Sequence, residues 1–437
     1  MIKLFSIIIF VFFSFSVFSQ PSAQETEKIA VFCKLWGFLK YHHPTVAKGE
    51  FDWDREFTNR INKVYSTNSK QDINQYYYEW IRSLDEVKNC KNCNNDAPDS
   101  LKFNLALCWI SDTNIFTPDV INQLRFIHRN RNQGQNFYVQ QNKNIGNTGY
   151  KNEKPYPDSI FPSNEMRLLG LSRYWNIINY FYPYKYLIGQ NWDSVLVEMI
   201  PKFKYCNDTI SYHLAMMELT AKINDSHAGF TSKYTKQFFG LKWAPFKFKI
   251  IDNKAIVTGF YNDSLCKIND VRYGDVFFDV RNYPNRTLYR IANFLNVEKK
   301  PFAKFSVPDI SYPGVFDYKT SYFCGKKNKN SYPGKVIVLF NETSQSHAEF
   351  TIMALQTAPN ITTIGSQTAG ADGDVSQIIF PGNYKTYMTG IGVYYPDGRE
   401  TQRVGIVPVI EIKPTIQGIK QGRDELMEIA IEVINEI

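Results

Sequence analysis

The pattern of apolar and polar positions divides the chain into a helical half and a half in which strands and helices alternate. Residues 34–54 and 173–193 carry aromatic side chains at helical spacing, and each segment leads into a second helix at a Trp-Asp pair. Past residue 236, the apolar runs FKFKIID and AIVTGFY predict strands. Further on, DVFFDV, GKVIVLF and NITTIG predict buried strands separated by helices. This alternation predicts an α/β layer structure with a largely parallel sheet.

The two aromatic segments are copies of one pattern. Each predicts an aromatic helix that stops before a proline, a short loop, and a new helix that begins at tryptophan. The matching residues, each pair 139 positions apart, are Trp36 and Trp175, Tyr41 and Tyr180, Pro44 and Pro183, Trp53 and Trp192, and Asp54 and Asp193. The sequence therefore predicts two helical subdomains built on one plan, with the aromatic rings in the core.

The first residues are typical of an export signal. Lys3 supplies a positive start, residues 4–18 are almost wholly apolar, and Val17 and Ser19 are small residues placed for cleavage before Gln20. The apolar run is shorter than the roughly 20 residues that a membrane span needs. We therefore expect an exported protein, periplasmic or extracellular, without a stable membrane span.

Charge and cysteine content narrow the choice of partners and cofactors. The net charge of +8 is spread over single Lys and Arg residues, which argues against a nucleic-acid partner. Seven cysteines in an exported chain predict disulfides, and Cys90 and Cys93 form the natural local pair. A Cys-x-x-Cys pair can also be half of a zinc site, but no second pair follows at a suitable spacing. We expect no metal and no other cofactor.

Two separate stretches supply groups for nucleophilic catalysis. Ser346 is predicted at the start of a helix, where backbone N–H groups and the helix dipole favour a developing oxyanion. A serine hydroxyl needs a base, and His227 in NDSHAGF comes from a separate segment, as such pairs usually require. His347 directly follows Ser346 on the same helix, so its side chain points away. The alternative is that Ser344 or Ser346 merely caps the helix.

Several motifs in the same order resemble the core of the C-terminal-processing (tail-specific) and tricorn-core serine peptidases. They are NDSHAGF, DVFFDVRNYPN, GKVIVLFNETSQSHAEF, ITTIGSQTAGADG and YYPDGRETQRVGIVP. The paired aromatic helices and the Cys-x-x-Cys region resemble the N-terminal extension of exported Bacteroidetes members. The resemblance implies a ClpP/crotonase-like peptidase core with Ser346 as the nucleophile. It also makes His347 and Gly370 the candidates for the oxyanion hole.

The resemblance also indicates a branch of the family. Tail-specific members place a lysine where this chain has Ala371, so the Ser–Lys dyad is absent. The tricorn branch implies His227 as the general base, with Ser226 helping to orient its ring. The position of the family carboxylate holds Gln402, and Glu400 lies two residues before it.

The chain departs from the family pattern at two places. Val409 replaces the usual aspartate of the last motif, and the junction at residues 270–280 is shorter than in relatives. A short junction implies a remnant PDZ-like segment and an incomplete oxyanion hole. Loss of one oxyanion donor typically costs about 10²–10³ in rate.

These inferences define the expected organisation and function. We predict a multidomain α and α/β chain in six segments: signal peptide 1–19, N-terminal helical domain 20–128, linker 129–165, second helical unit 166–235, truncated PDZ-like segment 236–273 and peptidase core 274–437. The predicted activity is that of a secreted serine-type endopeptidase acting on peptides, protein tails or unfolded protein. The alternative is an impaired pseudopeptidase that binds peptides or proteins. The sequence does not predict an oligomeric state.

Overall fold

The computed structural model describes residues 23–435 except for 92, 94, 241–245, 252–253, 261–276, 282–283 and 285–286. The predicted signal peptide lies outside the described residues. So do most of the short junction and the expected start of the peptidase core at residue 274. Within the described part of the chain, no helix is long and apolar enough to cross a membrane.

Helices make up most of the chain before residue 240, in two runs. The first run comprises α1 (Ala23–His42), α2 (Pro44–Ala47), α3 (Trp53–Ser66), α4 (Lys70–Ser83) and α5 (Pro118–Arg129). The second run comprises α6 (Asn164–Phe181), α7 (Trp192–Lys204), α8 (Thr209–Ala221) and α9 (Lys233–Phe239). Polar side chains just before several helices accept hydrogen bonds from the first turn, which fixes where those helices begin. The residues that do so include Asp52, Ser69, Ser163, Asn191 and Asp208.

The two runs repeat one arrangement, as the sequence pattern predicts. In the first run, Trp36 Nε1 donates to the backbone O of Trp53 (2.9 Å) and Trp53 Nε1 donates to the backbone O of Trp36 (3.1 Å). In the second run, Trp175 and Trp192 make the same reciprocal pair, at 2.7 and 3.0 Å. All four rings are buried, so each indole N–H is satisfied inside the core. The predicted repeat is confirmed.

The segment between the two runs is irregular, as predicted, but it is packed rather than extended. It contains the two-residue strands β1 (Gln140–Gln141) and β2 (Thr148–Gly149). Its Glu153 is buried between the repeats: Oε1 lies 2.5 Å from Lys40 Nζ on α1, and Oε2 lies 3.0 Å from Arg173 Nε on α6. Arg173 also bonds Asp54 at the start of α3. A charged residue of the predicted linker therefore joins the two helical units.

We expect Glu153→Gln to lower the free energy of unfolding by about 3–5 kcal/mol, because it removes the countercharge of buried cations. Burial lowers the pKa of Lys40 despite the attraction of Glu153, so this amine depends on its partner. Urea unfolding at pH 7 measures the loss. The matched control is Glu198→Gln, which weakens exposed pairs with Lys202 and Lys222 and should cost no more than about 1 kcal/mol. Equal losses in the two variants would contradict the assignment.

The C-terminal part of the chain contains a mixed set of strands and helices. Its strands are β3 (Phe246–Ile251), β4 (Lys254–Phe260), β5 (Phe277–Asp279), β6 (Lys300–Pro308), β7 (Phe316–Cys324), β8 (Val336–Phe340), β9 (Ile361–Gly365), β10 (Val375–Phe380), β11 (Tyr384–Thr389), β12 (Gly392–Tyr394) and β13 (Ile410–Glu411). Its helices are α10 (Leu288–Leu295), α11 (His347–Leu355), α12 (Ile416–Lys420) and α13 (Glu425–Asn435).

The central sheet has the order β13-β9-β8-β5, and all its pairs are parallel. Alternate residues of β8 belong to different hydrophobic clusters. Val336, Val338 and Phe340 share one with Ile352 and Met353 of α11. Ile337 and Leu339 share the other with Ala430 of α13. Because both faces are covered, the strand is a continuous apolar run, as is usual for parallel sheets.

The rest of the strands are antiparallel, which the expectation of a largely parallel sheet did not include. Strands β12, β6 and β7 form one sheet, and β10 pairs with β11. The predicted FKFKIID and AIVTGFY strands form the β3–β4 pair. Whether this pair is the remnant of a PDZ-like module stays a prediction.

Candidate active site

Ser346 lies at the turn between the buried strand β8 and helix α11, where the sequence predicts it. Its backbone has φ 55° and ψ −123°. A non-glycine residue with positive φ costs of order 1–3 kcal/mol and persists only where the surroundings hold it. Here the Ser346 N–H donates to Ala371 O (2.8 Å) and more weakly to Glu349 Oε2 (3.3 Å). The glycine-rich loop after β9 therefore fixes the backbone of this serine.

Ser346 opens into a cavity of about 270 Å³. The cavity wall is mostly apolar and includes Phe305, Phe350 and Ile391. Asn144 and Ile145 of the segment between the helical runs also line it, which the sequence did not predict. A larger cavity of about 700 Å³ lies elsewhere and does not include Ser346.

His227 is held by a carboxylate and a hydroxyl. Its Nδ1 lies 2.9 Å from Thr389 Oγ1 and 3.4 Å from Asp225 Oδ1. The Thr389 hydroxyl donates to Asp225 Oδ1 (2.9 Å), since a carboxylate can only accept. The hydroxyl has one proton, so it accepts from the Nδ1–H of His227. This network assigns the proton to Nδ1 and leaves Nε2 as the basic nitrogen.

Asp225 is the buried anchor of this group. It accepts from the N–H of His227 (3.0 Å) and from the N–H of Thr389 (2.6 Å). Burial alone would raise its pKa, but the hydrogen bonds and the nearby imidazole hold the pKa of Asp225 below its ordinary value. The carboxylate therefore stays ionised beside His227.

Thr389 and Gly373 lie between the loop that carries His227 and the cavity. A Cβ on Gly373 would stand 2.6 Å from the Thr389 methyl, so Gly373 and Thr389 are in close contact. Gly373 lines the cavity together with Ser346. Nε2 of His227 is buried and has no hydrogen-bond partner among the described residues. The structure therefore brings His227 near the cavity but does not pair it with Ser346.

Three residues expected to assist His227 make no side-chain hydrogen bond to its ring among the described residues. Ser226 is exposed, because the Asp225 side chain bonds the His227 N–H and turns the histidine towards Thr389 instead. Glu400 accepts from the Tyr186 hydroxyl (2.5 Å) and lines the larger cavity. Gln402 is buried, but its Oε1 has no partner among the described residues. Asp225 and Thr389 orient the ring instead of these three residues.

The two oxyanion-hole candidates have different surroundings. The Gly370 N–H donates to Glu349 Oε1 (2.8 Å), so a carboxylate uses this N–H in the structure, and a role of Gly370 in an oxyanion hole stays a prediction. His347 is the first residue of α11 and lines the cavity. The first N–H groups of a helix have no partner within the helix itself. The role of His347 stays a prediction.

Glu349 organises the turn that holds Ser346, and it was not among the predicted site residues. It is fully buried and also accepts from Ala371 N (2.8 Å) and Thr368 Oγ1 (2.5 Å). Burial raises the pKa of Glu349, although these hydrogen bonds counteract it. The available signal was the Ser-x-x-Glu spacing at the helix start, which is typical of a capping box.

Two further sequence predictions concern the Cys90–Cys93 pair and metal binding. Cys90 and Cys93 are joined by a disulfide with a Cα–Cα distance of 5.6 Å. Among the described residues, no group of three or more His, Cys, Asp or Glu side chains is placed to hold a metal ion.

Comparisons with known proteins give one family match and several distant structural likenesses. Residues 291–412 match the model of peptidase family S41. A candidate peptidase from Parabacteroides merdae is 18% identical, with 62% of this chain and 97% of that chain covered and a TM-score of 0.48. Mature CPAF complexed with lactacystin is 10% identical, with 63% and 99% covered and a TM-score of 0.47. The photosystem II D1 C-terminal processing protease is 12% identical, with 60% and 98% covered and a TM-score of 0.37. No curated protein matches the chain.

The family match spans strands β6 to β13 and includes Ser346, Glu349 and the glycine-rich loop. It contains three of the five motifs that resemble the C-terminal-processing peptidases, whereas NDSHAGF and DVFFDVRNYPN lie outside the matched residues. Residues 291–412 therefore match peptidase family S41, and the resemblance that the motifs predicted is confirmed at this level.

Proposed function

We propose that the chain is an exported serine-type endopeptidase that hydrolyses peptide bonds in peptides or protein tails, with Ser346 as its nucleophile. The observation that carries the proposal is the strained backbone of Ser346 at the mouth of a cavity, at the start of a helix. Strain of this kind is found where a functional group must be presented. Membership of a peptidase family supports the same assignment.

In the proposed reaction, Ser346 Oγ attacks the carbonyl carbon of the substrate while its proton moves to Nε2 of His227. The tetrahedral oxyanion is stabilised at the start of α11, where we assign the His347 N–H as one donor. The C–N bond then breaks and the amine leaves with the proton from Nε2. Water, deprotonated by His227, hydrolyses the acyl-enzyme and regenerates Ser346.

Asp225 and Thr389 give His227 the tautomer that this reaction needs. The hydrogen-bond network keeps the proton on Nδ1 and the lone pair on Nε2. The ionised Asp225 then stabilises the imidazolium that forms. Since Nε2 has no partner in the described structure, the proposal requires it to approach Ser346 when substrate binds. Catalytic hydrogen bonds often tighten only in the substrate complex.

A fluorophosphonate probe tests the assignment directly. We expect it to label the purified protein at Ser346 and not at Ser344, whose hydroxyl donates to Val280 O (2.7 Å). Tandem mass spectrometry of the labelled peptide identifies the site. His227→Ala should slow labelling by about 10²-fold or more, because the base then no longer takes the serine proton.

The control for the histidine is His213→Ala, because His213 lies on α8 and its Nδ1 contacts Ser232 at the start of α9. This variant should label at the wild-type rate. A folded protein that the probe does not label would contradict the proposal and favour the peptide-binding alternative. If the labelling rate does not depend on His227, Ser346 remains the assigned nucleophile and the assignment of His227 as its base is wrong.

A further inference from the structure

The cavity at Ser346 contains an acidic group that the proposed mechanism does not use. Asp372 is 3% exposed, and its Oδ1 accepts from the Gly373 N–H (2.7 Å). Its Oδ2 is buried and has no hydrogen-bond partner among the described residues. Burying a polar oxygen without a partner typically costs about 1–3 kcal/mol. Asp372 is one of the residues that line the cavity, and its unpaired oxygen indicates a missing partner.

The surroundings of Asp372 indicate the charge of that partner. The cavity wall holds a second carboxylate, Asp374, and has no lysine or arginine among its described residues. Burial, and after it the nearby charge of Glu349, raise the pKa of Asp372 well above its ordinary value. The other titratable group of the wall is His347, together with the phenols of Tyr289 and Tyr322. A cation entering the cavity would relieve the cost of ionising Asp372.

We propose that Asp372 selects substrates that place a lysine or arginine side chain in this cavity, next to the bond that Ser346 attacks. The proposal rests on the proposed function, since it names the substrate class of the same site. It assigns Asp372 to specificity and not to proton transfer.

The shape and the wall of the cavity fit such a side chain. A volume of about 270 Å³ is below the roughly 300–1,000 Å³ of small-molecule pockets and suits a single side chain. The aromatic and aliphatic wall can cover an alkyl stem, and ring faces attract a cation. A neutral apolar side chain would fill the same space but leave Asp372 Oδ2 without a partner. The site therefore discriminates between substrate side chains by the charge at their far end.

Matched peptide substrates test the selection. Peptides that differ only in the residue before the scissile bond (lysine, arginine, leucine or alanine) are compared by kcat/KM. We expect lysine and arginine to be preferred, and Asp372→Asn to lower kcat/KM for these two by about 10–100-fold while leucine changes by less than about threefold. A uniform loss over all four peptides would overturn the proposal, because it would indicate a role in the reaction itself. A wild-type preference for leucine would also overturn it.

A binding experiment separates this proposal from the identity of the nucleophile. Benzamidine, an aromatic cation, is titrated calorimetrically into the Ser346→Ala variant, with uncharged benzamide as the control. We expect binding to release a proton, seen as a dependence on the ionisation enthalpy of the buffer, and Asp372→Asn to weaken it at least tenfold. Binding without these properties contradicts the role of Asp372. If binding is as expected but no peptide is hydrolysed, the specificity site stands and the peptidase proposal fails.

Folding of the Asp372→Asn variant is checked by its stability. An aspartate with a raised folded-state pKa binds a proton more tightly in the folded state, so it destabilises the fold as pH rises above its unfolded pKa. The variant lacks this penalty and should be at least as stable as the wild type at pH 7. A lower Tm for the variant would contradict the unpartnered state of Asp372.

Discussion

Ser346→Ala should reduce peptide hydrolysis below detection, a loss of about 10⁴-fold or more in kcat. The hydroxyl forms the bond to the substrate, and no neighbouring group replaces it. The fold should survive, because the contacts that fix this turn are made by the Ser346 backbone N–H to Ala371 and Glu349. Loss of the hydroxyl at a helix start costs about 1 kcal/mol. Hydrolysis of a fluorogenic peptide and thermal unfolding measure the two quantities.

Gln345→Ala is the matched control for this variant. Gln345 is the exposed neighbour of Ser346 in the same turn, and among the described residues its one hydrogen bond is from Ala348 N to its backbone O. Its hydrolysis rate should stay within about threefold of the wild type. If Ser346→Ala retains full activity, the nucleophile assignment is wrong, whatever the state of the control.

The fold was predictable where the sequence pattern is local. The matched positions of Trp36 and Trp175 predicted two helical units, and the units share the reciprocal indole bonds that those positions require. The continuous apolar run of β8 predicted a buried parallel strand, and the polar turn after it predicted that Ser346 begins a helix. The β6–β7 pair was missed because PFAKFSVP and DYKTSYFC alternate only partly, although Pro313-Gly314 between them is a turn signal.

The site was less predictable because the residues that bond each other in it are distant in the chain. Asp225 and His227 bond Thr389, which is more than 160 residues away, at the end of β11. No spacing rule connects these segments before the fold is known. The resemblance to the tricorn branch implied that Ser226, which adjoins the histidine, orients its ring. The Asp225 side chain instead bonds the N–H two residues on, which places Asp225 and His227 on one side of the loop.

The contact that Gly370 makes was not predictable, for a related reason. Glycine-rich loops commonly offer N–H groups to anions, and the sequence does not show which anion binds them. Here the anion is the chain's own Glu349, which bonds both Gly370 and Ala371. The N–H groups of Gly370 and Ala371 therefore stabilise the turn that holds Ser346 and do not point to a substrate.

Asp225→Asn should lower kcat by about 10³–10⁴-fold, with little change in KM, because the base loses the charge that stabilises its protonated form. The asparagine amide also changes which ring nitrogen of His227 carries the proton. Asp225 accepts from three donors, and an asparagine must turn its NH₂ towards at least one of them. The ¹⁵N shifts of the His227 ring should therefore move from the Nδ1–H tautomer towards a mixture. A purely structural role of Asp225 would lower the Tm and leave the ring shifts of the folded protein unchanged.

The pH dependence of stability provides a second test of the same residue. Because the folded-state pKa of Asp225 is lowered, its ionised form stabilises the fold above its unfolded pKa of about 3.9, and this contribution disappears as pH falls through the folded value. The Asp225→Asn variant should thus be less stable than the wild type at pH 7, and the difference should shrink on acidification. Asp208→Asn, which keeps a side-chain oxygen at the exposed start of α8, controls for the loss of one carboxylate and should retain wild-type activity. A stability difference that grows towards acid pH would mean that Asp225 is protonated in the folded protein, and the assigned orientation of His227 would then be wrong.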